Sequence, residues 1–149
     1  NTKNQEAELN KTCISPKGAF SSESMKYMSP QEKCLFYFAA GGNIAGLRFL
    51  TINDVHINTL DEERTSALHI ACRNGSLQMV EEIINQGAMI DIPDLAGWTS
   101  LHICCFFKRS EFILLLLKNH ANLLTRNRDS ECPFDLVHDD IKCIEVIGN

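Results

Sequence analysis

Seven cysteines and five histidines are the side chains of this 149-residue chain that could hold a metal, attack an electrophile or change redox state. Their spacing favours none of these. Cys13, Cys34, Cys72, Cys104, Cys105, Cys132 and Cys143 contain no C-x-x-C pair, and an odd number signals no disulfide framework, which points to a reducing, intracellular setting. His102 stands close to Cys104 and Cys105, but adjacent helical residues point in different directions, so the three cannot converge on one ion. The histidines His56, His69, His102, His120 and His138 accompany neither a nucleophile elbow nor a glycine-rich loop. The residues therefore indicate no catalytic set, no metal and no cofactor.

Charge excludes a second class. The net charge is -5, with acids in excess over 61–94 and 128–149 and bases in excess over 95–127. Lys108, Arg109, Lys118 and Arg126 are too few, and too closely flanked by acids, for the continuous basic stripe that nucleic acid demands. The longest apolar run, 112–117, ends at Lys118 and falls far short of the ~20 residues that cross a bilayer. With 44% apolar and 22% charged residues, the chain has the composition of one packed domain without direct membrane insertion. It starts at Asn1 without a secretory pattern, so a piece of a longer intracellular, cytoplasmic protein is expected. The triplets at Asn10 and Asn74 fit the glycosylation pattern but have no secretory context.

The elements that must position these residues follow from a repeat. Leu68-His69-Ile70-Ala71-Cys72 recurs as Leu101-His102-Ile103-Cys104-Cys105 at an offset of 33 residues, and more loosely as Leu35-Phe36-Tyr37-Phe38-Ala39. A unit this short cannot bury its own apolar face, so copies must stack into a solenoid. Ser66 and Thr99 stand where a helix N-cap accepts from unpaired N–H groups. A second helix follows, with Leu77, Val80, Ile83 and Ile84 in one copy and Ile113, Leu116 and Leu117 in the next. The end copies differ. Ser29-Pro30-Gln31-Glu32 reads as a capping box that opens the first copy, whereas the last keeps Pro133 and Phe134 and carries Ile141, Ile144 and Ile147 in a shortened second helix. Residues 1–28 form a polar extension, expected to be flexible or loosely docked, with a short helix near Glu6–Lys11.

This pattern resembles the ankyrin repeat. The family's Asp, its Gly-x-Thr-Pro-Leu-His, two small residues, an inter-helix Gly and a closing Gly-Ala are carried by Asp94, Gly97, Thr99, Leu101, His102, Cys104 and Cys105. They are carried again by Asp61, Ser66, Leu68, His69, Ala71, Cys72, Gly75, Gly87 and Ala88. The resemblance covers residues 29–149, as repeats at about 29–60, 61–93, 94–126 and 127–149. It implies an all-α solenoid of helix-turn-helix units joined by short β-hairpin fingers, with His69 and His102 tying neighbouring repeats and Cys72, Cys104 and Cys105 as small buried residues. Departures from the pattern are Lys108 at the inter-helix glycine, Arg64 and Ser130 at the finger-turn glycine, and Ala67 and Ser100 at the proline.

The resemblance also implies a function. Finger tips and first helices of such repeats line a concave face that binds proteins. The third copy places Leu95 and Trp98 on its finger and Phe106 and Phe107 at the end of its first helix, and the second copy places Glu62, Glu63, Arg73 and Asn74 at matching positions. Aromatic anchors within a charged rim are the composition of an interaction hot spot. The chain is thus read as a non-enzymatic module, expected to be monomeric, that binds a protein or peptide. The alternative is a regulatory or substrate-recruiting arm of an enzyme, trafficking protein or lipid-binding protein whose catalytic domain lies elsewhere.

Overall fold

The computed structural model describes residues 23–148, so the short helix near Glu6–Lys11 and most of the polar extension lie outside it. The helices are α1 (Pro30–Gly41), α2 (Ile44–Ile52), α3 (Ala67–Asn74), α4 (Leu77–Asn85), α5 (Ser100–Phe106), α6 (Ser110–Lys118), a 3-10 turn (Pro133–Leu136) and α7 (Ile141–Gly148). First helices stack in one row, α1 on α3 on α5 on the 3-10 turn, and second helices form the other, α4 on α6 on α7. Leu35, Leu68, Ile70, Leu101 and Ile103 from the first row meet Leu47, Val80, Ile83, Ile113 and Leu116 from the second in one continuous core.

Side-chain caps set the starts of α1 to α5, while Arg109 before α6 makes no side-chain cap bond. Ser29 Oγ accepts from the Glu32 amide at 3.2 Å while the Glu32 carboxylate accepts from the Ser29 amide at 2.8 Å, a complete capping box. Ser66 and Thr99 cap α3 and α5 in boxes closed by His69 and His102, and Ser76 caps α4 by accepting from Met79 N–H, so the missing prolines before α3 and α5 leave both helix starts intact.

Fingers differ from the hairpins expected. Among the described residues they contain no paired strand; each is a tight turn closed by its first residue. Asp61 Oδ1 accepts from Glu63 and Thr65, Asp94 Oδ1 from Ala96 and Trp98, and Asn127 Oδ1 from Asp129 and Glu131, all within 2.8–3.0 Å. One main-chain bond joins each finger to the previous one, Leu95 N–H to Glu63 O and Arg128 N–H to Ala96 O, both 3.0 Å. A single bond per step cannot build a ladder. Before the first finger Ser24 O takes the same place, accepting from Glu62 N–H at 3.0 Å, and Met25 is only 1% exposed. The described end of the extension is therefore packed against the stack.

Left-handed residues mark the same period. Arg64, Gly97 and Ser130 have φ of 60°, 83° and 63°, as the glycine substitutions at the finger turn demand. Asp54, Gly87 and His120, at the ends of second helices, have φ of 69°, 92° and 67°, of which Asp54 carried no sequence signal. Lys108 takes φ 57° between α5 and α6, and its ammonium donates to Leu136 O at 2.9 Å and pairs with Asp139, tying the third repeat to the last. Ala at 108 keeps the left-handed cost and loses the tie, whereas Gly loses the tie but relieves the backbone. Lys108→Gly should accordingly be about 1 kcal/mol more stable than Lys108→Ala in urea unfolding; equal midpoints and slopes would show that the position is unstrained.

Candidate interaction surface

Two buried histidines hold the fingers in place. His69 Nδ1 accepts from the Ser66 amide at 3.1 Å and lies 2.8 Å from Ser66 Oγ, which leaves Nε2–H to donate to Trp98 O at 2.9 Å. His102 repeats this with Thr99 and with Glu131 O at 3.0 Å. Each ring therefore caps its own helix and pins the following finger. Burial lowers the His69 pKa to about 4, and the nearby Arg73 charge works in the same direction. Burial likewise lowers His102. Neutral imidazoles with both nitrogens engaged are ties between repeats, as the family pattern implies.

With the finger fixed, Trp98 meets the end of α5. Its ring lies 5.7 Å from Phe106 at 76°, and Phe106 lies 5.1 Å from Phe107 at 87°, so Trp98, Phe106 and Phe107 form one edge-to-face chain. Exposure divides them. Phe106 and Phe107 are 41% and 36% exposed and Leu95 43%, but Trp98 and Arg73 are each 3% exposed. Trp98 and Arg73 are thus floor rather than contact residues, which corrects the reading of Trp98 as a surface anchor and of Arg73 as rim. Trp98 is packed among His102, Phe106 and core side chains, and Arg73 belongs to a fully buried run of α3. Glu62 is exposed, and Glu63 and Asn74 are half-buried.

Burial raises the pKa of the finger carboxyls Asp61 and Asp94 against the N–H groups that bond them, and the Glu63 charge raises both further. Arg73 opposes this at Asp94, which places these groups in one electrostatic neighbourhood. The adjacent cysteines of α5 are shielded. Cys104 and Cys105 are fully buried, and burial holds both thiols protonated, Cys105 with a pKa of about 12. Arg128 was missed in the sequence, although it stands in register with Glu62 and Leu95 and is exposed on the last finger. An open hollow of about 490 Å³ beside Asp54, His56 and Gln86 draws on no finger and no first helix.

Comparisons with known proteins agree with this geometry. The family model described as ankyrin repeats (3 copies) matches residues 35–127. Human protein phosphatase 1 regulatory subunit 27 is 34% identical over 95 residues, 64% of this chain and 62% of the relative. Human Notch-regulated ankyrin repeat-containing protein is 30% identical over 94 residues, 60% of this chain and 82% of the relative. Human SH3 and multiple ankyrin repeat domains protein 2 is 32% identical over 91 residues, only 5% of its length. The chain thus spans less than two thirds of the phosphatase regulatory subunit it matches. No helix among the described residues is long and apolar enough to cross a membrane.

Proposed function

Because this chain belongs to the ankyrin-repeat family of protein-binding modules, we propose that it is a non-enzymatic, intracellular interaction module that grips its partner on the finger and first-helix face of the third repeat. The observation that carries this reading is the half-exposed pair Phe106 and Phe107, braced from below by buried Trp98, with Leu95 exposed on the finger of the same repeat. Exposed aromatic surface supported by a rigid, buried ring supplies contact area at small conformational cost, the property of a hot spot. Glu62, Glu63 and Asn74 form its polar border.

The test is capture of a binding protein by the full chain and by Phe106→Ser/Phe107→Ser. Both side chains are partly in solvent, so the variant should keep its melting temperature within a few degrees and lose at least about tenfold in affinity. Undiminished binding by a folded double variant would remove this face. Trp98→Ala is unsuited to the same purpose, since it opens the core.

A second reading has one specific observation in its favour. Relatives include proteins named as protein phosphatase 1 regulatory subunit 12A and an E3 ubiquitin-protein ligase, in which the matching stretch is a small part of the whole. The chain would then be the recruiting arm of an enzyme. A catalytic domain in the same full-length polypeptide, or a stable complex with one, would support this; a full-length protein with neither would leave the free adaptor.

A further inference from the structure

The finger row and the aromatic edge beside it carry two complementary halves of one recognition chemistry. Over 61–64, 94–97 and 127–131, with buried Asp61 and Asp94 set aside, the acids Glu62, Glu63, Asp129 and Glu131 stand against the exposed bases Arg64 and Arg128. Glu62 is exposed and Glu63 half-buried, while ion pairs join Arg48 to Glu82, Lys108 to Asp139 and Arg126 to Asp135. Those pairs also engage Lys108 and Arg126, two bases of the third repeat that would otherwise offset the acidic fingers. Leu95, whose N–H bonds Glu63 O, and the third-repeat pair Phe106 and Phe107 leave apolar surface in solvent.

We infer that this face takes a basic partner segment, one that sets a large apolar side chain on Phe106 and Phe107 and flanking arginines or lysines over Glu62 and Glu63. The inference rests on the docking face proposed above and adds the partner's charge. An acidic segment would meet the same apolar edge but be repelled by the fingers, so charge supplies the selection and the aromatics supply the contact. Attraction across such a field also speeds encounter and weakens with salt. Three fingers at roughly 10 Å per stacked repeat span about 20 Å, which an extended segment of about seven residues covers.

A random peptide library of about ten varied positions, displayed and panned on the full chain with Phe106→Ser/Phe107→Ser as counter-selection, tests this. Peptides recovered by the native chain and lost by the variant should carry net positive charge beside an aromatic or long aliphatic residue. By fluorescence anisotropy they should weaken about tenfold when their basic residues become Glu, and about tenfold again on Glu62→Lys/Glu63→Lys with the melting temperature unchanged. Neutral or acidic peptides that still depend on Phe106 and Phe107 would overturn the charge inference and leave the docking face standing. Recovery of no peptide that depends on them would overturn both. Self-association abolished by Phe106→Ser/Phe107→Ser would give the face to a second copy and overturn the basic partner.

Discussion

Lowering the pH from about 6.5 to about 4 should remove roughly 3 kcal/mol of stability through His69 alone. The folded-state pKa of this ring is depressed to about 4 from an ordinary 6.5, so the folded protein resists a proton that the unfolded chain accepts. Its stabilisation is complete above the unfolded pKa and is lost as pH falls towards the folded one. The physical cause is burial: a charged imidazole between Ser66 and Trp98 O would lose its hydration, and Nδ1, which accepts from the Ser66 amide, could no longer do so. His102 shifts in the same direction and adds to the loss. Asp61 and Asp94 act in the opposite sense, since burial raises them and the folded state takes up their protons first, so they offset part of the loss near the acid end. Urea unfolding of the native chain and of His69→Gln at pH 7 and about 4.5 would measure it. The variant should be less stable at pH 7 and markedly less sensitive to pH; parallel losses in both proteins would acquit His69.

Gly75→Val should cost more than about 3 kcal/mol, which no rotamer change offsets, because a Cβ at this position lies 2.9 Å from Ala39 O, Ala71 Cα and Ala71 O, which are backbone atoms. The residue does not use glycine's left-handed freedom, since its φ is -86°. It is needed because α1 crosses α3 here without room for a side chain, while Gly75 O also accepts from the Arg109 guanidinium at 3.2 Å. Arg109 in turn lies over Phe112 at 4.8 Å, so the same glycine touches the contacts of three repeats. Gly87→Ala is the contrast. Its φ of 92° is strained for alanine, but no atom lies within 4 Å of the added Cβ, and about 1 kcal/mol is expected. Thermal melts of the two variants should separate clearly, and similar melts would deny the close crossing.

The stack was legible in the sequence because most of its local signals repeat with the period. Ser66 and Thr99 cap helices, Lys108, Arg64 and Ser130 turn left-handed, and His69 and His102 reach the next finger, all as their positions in the repeat imply. Local chemistry repeated at a fixed spacing leaves the backbone few alternatives. What the period could not reveal was depth. Trp98 and Phe106 are both aromatic and both lie on the finger and first-helix side, yet one is core and the other surface, because burial depends on what neighbouring repeats place above each ring. Arg73 shows the same limit, a charged residue read as rim that is buried in the floor. Ser24 and Met25 lay hidden for a different reason: they occupy a finger's place with a sequence that has no finger motif.

Hydrogen exchange of the full chain, free and bound to the tightest library peptide, tests the docking face most directly. Binding there should slow exchange over 62–66, 95–98 and 105–109, where the fingers meet the end of α5, and leave the outer helices α2, α4 and α6 unchanged. Slowed exchange confined to α2 and α4, with the fingers and Phe106–Phe107 unaffected, would contradict it.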